Sequence, residues 1–144
     1  MGAWGFNSFE NNAAADWLGN LRESGDSGLI KNSLQAVFPK PPGFLGKLMG
    51  KRSSYLDADV ASAALVAAEV VAALRGKPHA KLPPEVEKFV ADNYQAASTA
   101  LSALAFKAVQ RIRAESELCE LWQESEDVEL WQAELESLEQ RLLA

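Results

Sequence analysis

The run ADVASAALVAAEVVAAL, Ala58 to Leu74, decides the class of fold. It is close to the minimum length of a bilayer span, but it is rich in alanine and carries Asp59 and Glu69, so it reads as a core helix rather than a membrane segment. Asp57 or Asp59 can cap its start, and Gly76, Lys77 and Pro78 end it in the expected order of glycine then proline. Apolar residues recur at spacings of three and four on either side of this run, with no useful strand-like alternation and no internal repeat. The expected fold is all-α, a single domain over residues 1–144 with six to seven helices.

Upstream, Asn11 or Asn12 caps a first helix through Ala13, Trp17 and Leu21, which Ser24 and Gly25 end. Leu29, Ile30, Leu34, Val37 and Phe38 mark a second helix that the following prolines stop. Downstream, Pro83 and Pro84 open a helix with Val86, Phe89 and Val90 on one side. A long small-residue helix is expected from Tyr94 to about Arg113, packed on the alanine-rich one. Ser116 caps a short helix, and Ser125 is expected to cap the last one. There Val128, Trp131, Leu135, Leu138 and Leu142 form one stripe, which would leave Glu129, Glu134, Glu136 and Glu139 for solvent. The stripe fits a helix packed within a monomer, the favoured state, and also fits a homodimer seam.

Charge is unevenly spread along a chain whose net charge is -6. Residues 38–56 form a long basic loop rich in proline and glycine, holding Lys40, Lys47, Lys51 and Arg52 together with Phe44, Leu45, Leu48 and Met49. Such a loop either packs back on the helices or forms a lid or a partner-facing surface. Residues 114–144, read as a helical hairpin, carry ten acids against Arg141 alone. That acidic end repels phosphate, which argues against nucleic acid, and would attract a basic protein. The start has no cationic stretch followed by an apolar run, so a cytoplasmic address without stable membrane association is expected.

Few residues carry recognisable chemistry. Cys119 is the only cysteine and His79 the only histidine, so neither a disulfide nor a zinc site is expected, and no metal or cofactor is assigned. No serine or cysteine sits in a nucleophile motif, and no phosphate-binding glycine loop is present. Glu69 interrupts eleven apolar or alanine positions between Ala63 and Leu74, so it needs a cation such as Arg111 or Arg113 or else an exposed stripe. Asn12 and Asp16 share a helical face, with Glu10 just before them. They serve as caps and loop fasteners or, with Glu69, as a polar ligand site.

The opening MGAWGFNSFENNAAADW places Gly2 and Gly5 around Trp4, whose ring reads as a buried plug, before the Glu10, Asn11, Asn12 step. With YLDADVASAALVAAEVVAALRGKP, SELCELWQE and a tryptophan-bearing last helix, it resembles the bacterial domain-of-unknown-function family numbered 4259. In that family the glycine-bracketed tryptophan is commonly followed by Phe-Asp-Asn-Asp; here Glu10, Asn11 and Asn12 follow Phe9. The resemblance implies a single bacterial domain and brings no activity with it.

Two functional expectations follow. The first is a non-enzymatic protein interaction module, toxin-neutralising or regulatory, that meets a basic partner through Glu117, Glu120, Trp122, Glu124 and Asp127, with Trp131 as a further apolar anchor. The second is a small enzyme or ligand-binding protein with a polar site at Asn12, Asp16 and Glu69.

Overall fold

A computed structural model describes Gly5 and residues 7–25, 27–38 and 56–144. The expected basic loop and the Trp4 plug lie outside the described residues apart from Phe38 and Leu56, the two ends of that loop. Among the described residues, seven α-helices build an all-α domain: α1 (Asn12–Ser24), α2 (Gly28–Gln35), α3 (Ala58–Leu74), α4 (Pro84–Asn93), α5 (Thr99–Ala114), α6 (Glu117–Gln123) and α7 (Val128–Leu143).

Most boundaries have a visible cause. The Asn11 side chain accepts from the Ala14 N–H and starts α1, while Gly25 ends it in the left-handed region at φ 59°. Asp57 caps α3 by accepting from the N–H groups of Asp59 and Val60, and beyond its end Gly76 turns the chain at φ 85°. Two expected starts shift. Tyr94–Ala96 is a short 3-10 turn, and α5 begins only at Thr99, where the Ser98 side chain accepts from the Leu101 N–H. Ser125 is not the cap of α7; its hydroxyl accepts from the Asp127 N–H in the preceding turn, and the helix starts at Val128.

The core is organised around α3, which touches each of the other six helices. A helix surrounded on all sides has no solvent face to make polar, which is why its sequence shows no amphipathic stripe. Thirteen of its seventeen residues are buried, most of them alanine and valine, and its most extensive partner is α5, whose buried residues include Ala105, Ala108, Val109 and Ile112. The stripe on α7 is used inside the chain: Trp131, Leu135, Leu138 and Leu142 are buried, and the helix packs on both α3 and α5. Among the described residues, no helix is long and apolar enough to cross a membrane.

Glu69 is fully buried, and its partner is neither Arg111 nor Arg113. Arg141 of α7 holds it with two hydrogen bonds, Nη1 to Oε1 at 2.8 Å and Nη2 to Oε2 at 3.1 Å. Arg111 instead donates to the Val37 carbonyl. Arg113 grips Glu139, Nε to Oε2 at 2.6 Å, and that hydrogen bond raises the guanidinium above its ordinary pKa. The expected solvent row on α7 is therefore split: Glu129 and Glu136 are exposed, Glu139 is buried, and Glu134 is part-buried beside His79.

Candidate functional site

The first turns of α1, α3 and α6 meet around a groove of about 630 Å³. Its shape begins with short-range hydrogen bonds. Asn7 Oδ1 accepts from the Phe9 N–H at 2.8 Å, and Asn11 Nδ2 reaches the Ser8 carbonyl at 3.3 Å. These bonds wind residues 7–11 into a turn that sets Asn7 and Ser8 on the groove wall. Gly5 also lines the groove, and a Cβ there would run into the Glu10 carboxylate.

From the turn, α1 carries the wall onward with Asn12, Asp16 and Asn20, spaced four apart so that all three point the same way. Opposite, the start of α3 contributes Asp59 and Ser62. Helix α6 is locked to that start: the Glu117 N–H donates to the Leu56 carbonyl at 2.9 Å, and Glu117 Oε1 accepts from the Ala58 N–H at 2.8 Å. Glu117 thus fixes two elements while keeping its carboxylate at the groove. Trp17, Trp122 and Trp131 supply the apolar part of the lining.

The sequence-selected residues separate in an informative way. Asn12 and Asp16, chosen as ligand residues, and Glu117 and Trp122, chosen as partner residues, all line this one groove. Glu69 does not line it. Trp122 and Trp131 are not surface anchors, being 6% and 2% exposed and stacked on each other at 6.0 Å with planes 10° apart. Glu120, Glu124 and Asp127 are exposed, outside the groove lining. Asp59, Ser62 and Asn20 were missed as site residues. The four-residue spacing of Asn12, Asp16 and Asn20 was a readable signal for the third, but nothing local links α1 to Asp59 and Ser62.

A second polar cluster lies around Glu69, where Glu69, His79 and Glu134 bring potential ligand atoms within 4.8 Å of one another. Its donor set does not fit a metal ion. His79 Nδ1 accepts from the Lys81 N–H at 2.9 Å, which leaves Nε2, 3.1 Å from Glu134 Oε2, as the ring nitrogen that carries a proton. A metal ion on Nε2 needs the reverse, a bare Nε2 with the proton on Nδ1, and Nδ1 is already occupied by the Lys81 N–H. Arg141 already supplies the positive charge on Glu69. The cluster joins α3, the α3–α4 connector and α7, and Phe9 packs edge-on against the His79 ring at 5.8 Å.

Cys119 is buried, its Sγ donates to the Arg113 carbonyl at 3.1 Å, and burial pushes the thiol pKa up, reinforced by the charge of Glu120. A thiol held protonated in this way is a weak nucleophile.

No curated protein and no solved structure matches the chain. The family model described as a domain of unknown function, DUF4259, matches residues 2–134, and the chain belongs to that family.

Proposed function

We propose that the protein is a non-enzymatic binding module of the bacterial cytoplasm that receives a cationic group of a basic protein in the groove between α1, α3 and α6. The observation that carries this reading is the charge of the lining. Asp16, Asp59 and Glu117 all line the groove, and among the described residues no lysine, arginine or histidine lines it. An anion such as a phosphate would be repelled by these side chains, whereas a cation gains from all three carboxylates in a partly enclosed space. Exposed Glu120, Glu124 and Asp127 extend the negative field beyond the rim and speed encounter with a basic surface.

Binding is favoured over catalysis because, among the described residues, no histidine or lysine lines the groove to act as a base for the Ser8 and Ser62 hydroxyls. The carboxylates also do not gather as metal ligands: among the described residues only the Glu69 cluster brings three candidate ligand atoms within 4.8 Å. The test is affinity capture with tagged wild-type protein and an Asp16→Asn/Asp59→Asn variant, at low and moderate salt. A near-stoichiometric basic protein that is retained by the wild type, released by salt and lost with the variant is the expected result. Retention that ignores both salt and the variant would overturn the reading.

A further inference from the structure

The groove also holds polar groups that the fold leaves without partners. Ser8, Ser62, Trp122 and Trp131 line it and are 5%, 6%, 6% and 2% exposed. Among the described residues neither serine hydroxyl and neither indole N–H of these four makes a hydrogen bond, and none of these atoms is fully enclosed, Arg75 Nε being the one enclosed side-chain atom there without a partner. Trp17, the third indole at the groove, shows the ordinary arrangement, its Nε1 donating to Ser33 Oγ at 2.8 Å. Polar atoms of nearly buried residues that stay unpaired inside the fold and keep access at a cavity take their partners from outside the chain, from water or from a ligand.

The chemistry of those groups narrows the occupant. An indole N–H only donates, so Trp122 and Trp131 call for acceptor atoms, while Asp16, Asp59 and Glu117 call for donors and positive charge. A simple amine supplies the charge without acceptors, and a neutral polyol leaves three carboxylates uncompensated. A peptide segment bearing a cationic side chain supplies both, with its main-chain carbonyls beside the charge. Of the two cations, guanidinium fits better, because its planar fork pairs with carboxylates through two hydrogen bonds and packs against aromatic rings.

Building on the binding reading above, we infer that the groove is a peptide site that reads an arginine together with its adjacent main-chain carbonyls. The guanidinium lies toward Asp16 and Asp59, and carbonyl oxygens accept from the indole N–H groups of Trp122 and Trp131.

Nitrogen–proton correlation NMR follows each indole N–H separately and so reads this directly. The probes are acetyl-Gly-Arg-Gly-amide, the same tripeptide with citrulline, the same tripeptide with lysine, and agmatine, which keeps the guanidinium without peptide carbonyls. The arginine tripeptide is expected to move the Trp122 and Trp131 indole signals, with the Trp17 signal unmoved. Citrulline is expected to weaken binding about tenfold or more, the scale of a lost charged hydrogen bond. Agmatine is expected to bind without the indole shift. Asp16→Asn and Asp59→Asn, at exposed positions where the fold is undisturbed, should each weaken the arginine tripeptide. Indole signals that stay fixed, citrulline binding as well as arginine, or lysine binding as well as arginine would each overturn the inference. If the tripeptide fails while the Asp16/Asp59 variant still loses a captured basic protein, only the peptide chemistry falls; if both fail, the binding reading falls with it.

Discussion

The two halves of α3 treat their buried polar residues in opposite ways. Toward its C-terminus, Glu69 is fully buried and held by both terminal nitrogens of Arg141, with His79 and Glu134 close by. Toward its N-terminus, Ser62 is nearly as deep, at 6% exposed, but it lines the groove and its hydroxyl has no partner among the described residues. The same helix, packed by the same neighbours, thus carries one polar group whose partners were built into the chain and one whose partner was not. A satisfied buried network fastens a fold, and an unsatisfied one at a cavity is available to a ligand. The difference separates structure from function more sharply than residue type does, since by type alone Glu69 is the better candidate for chemistry.

The most severe way to break the comparison is at its satisfied end. Arg141→Ala leaves the Glu69 carboxylate buried without its cation, and the cost expected is about 3–5 kcal/mol, read as a lower denaturant midpoint in chemical unfolding. Replacing both partners, Glu69→Leu with Arg141→Leu, removes the uncompensated charge and should recover most of that loss. A double variant as unstable as Arg141→Ala would mean that the pair is needed for geometry as well as charge.

This pair also shows where sequence reading stops. That Glu69 requires a compensating group follows from the apolar residues on every side of it, and that much was legible. Which arginine serves was not. Helical spacing relates residues within one helix, whereas Arg141 reaches Glu69 because α7 packs on α3, and the acidic row around Arg141 concealed its role. The same limit applies to the groove. Asn12 and Asp16 were visible as one face of α1, and Glu117 as part of an acidic segment. Their meeting depends on the Leu56–Glu117 and Ala58–Glu117 hydrogen bonds that join α6 to the start of α3. Helix class, the burial of α3 and most caps were readable because they depend on neighbours a few residues away.

A middle-sized effect is expected at the turn that builds the groove wall. Asn11→Ala removes the side-chain acceptor for the Ala14 N–H and the donor to the Ser8 carbonyl, costing about 1 kcal/mol of stability in the same unfolding measurement. Because that turn sets Ser8 and Asn7 at the cavity, the variant should also weaken groove binding while leaving the Glu69 cluster intact. Loss of stability without any change in binding would detach the turn from the site.

A smaller, pH-dependent effect tests a buried group that belongs to neither end. The Cys119 pKa is raised in the fold, mainly by burial, so the folded state holds its proton more tightly than the unfolded chain does. The resulting stability is fully present below the ordinary thiol pKa of about 8.5 and is lost as pH rises through the raised value. The stability difference between wild type and Cys119→Ala should accordingly shrink above that pH, and a difference independent of pH would deny the thiol a protected environment.

The least effect on stability is expected from Ser62→Ala, and this variant sharpens the comparison most. If the Ser62 hydroxyl were paired inside the fold, its removal would cost about 1 kcal/mol or more, as with other buried hydrogen bonds. Unpaired inside the fold and still open to solvent, it contributes no internal hydrogen bond, so alanine should be neutral to within about 0.5 kcal/mol. A peptide occupying the groove would lose a hydrogen-bonding partner in the same variant, so binding should weaken while the fold holds. A residue that the fold can spare and binding cannot is serving a ligand. A loss of both stability and binding would instead place Ser62 with Glu69, among the groups that fasten α3 to its neighbours.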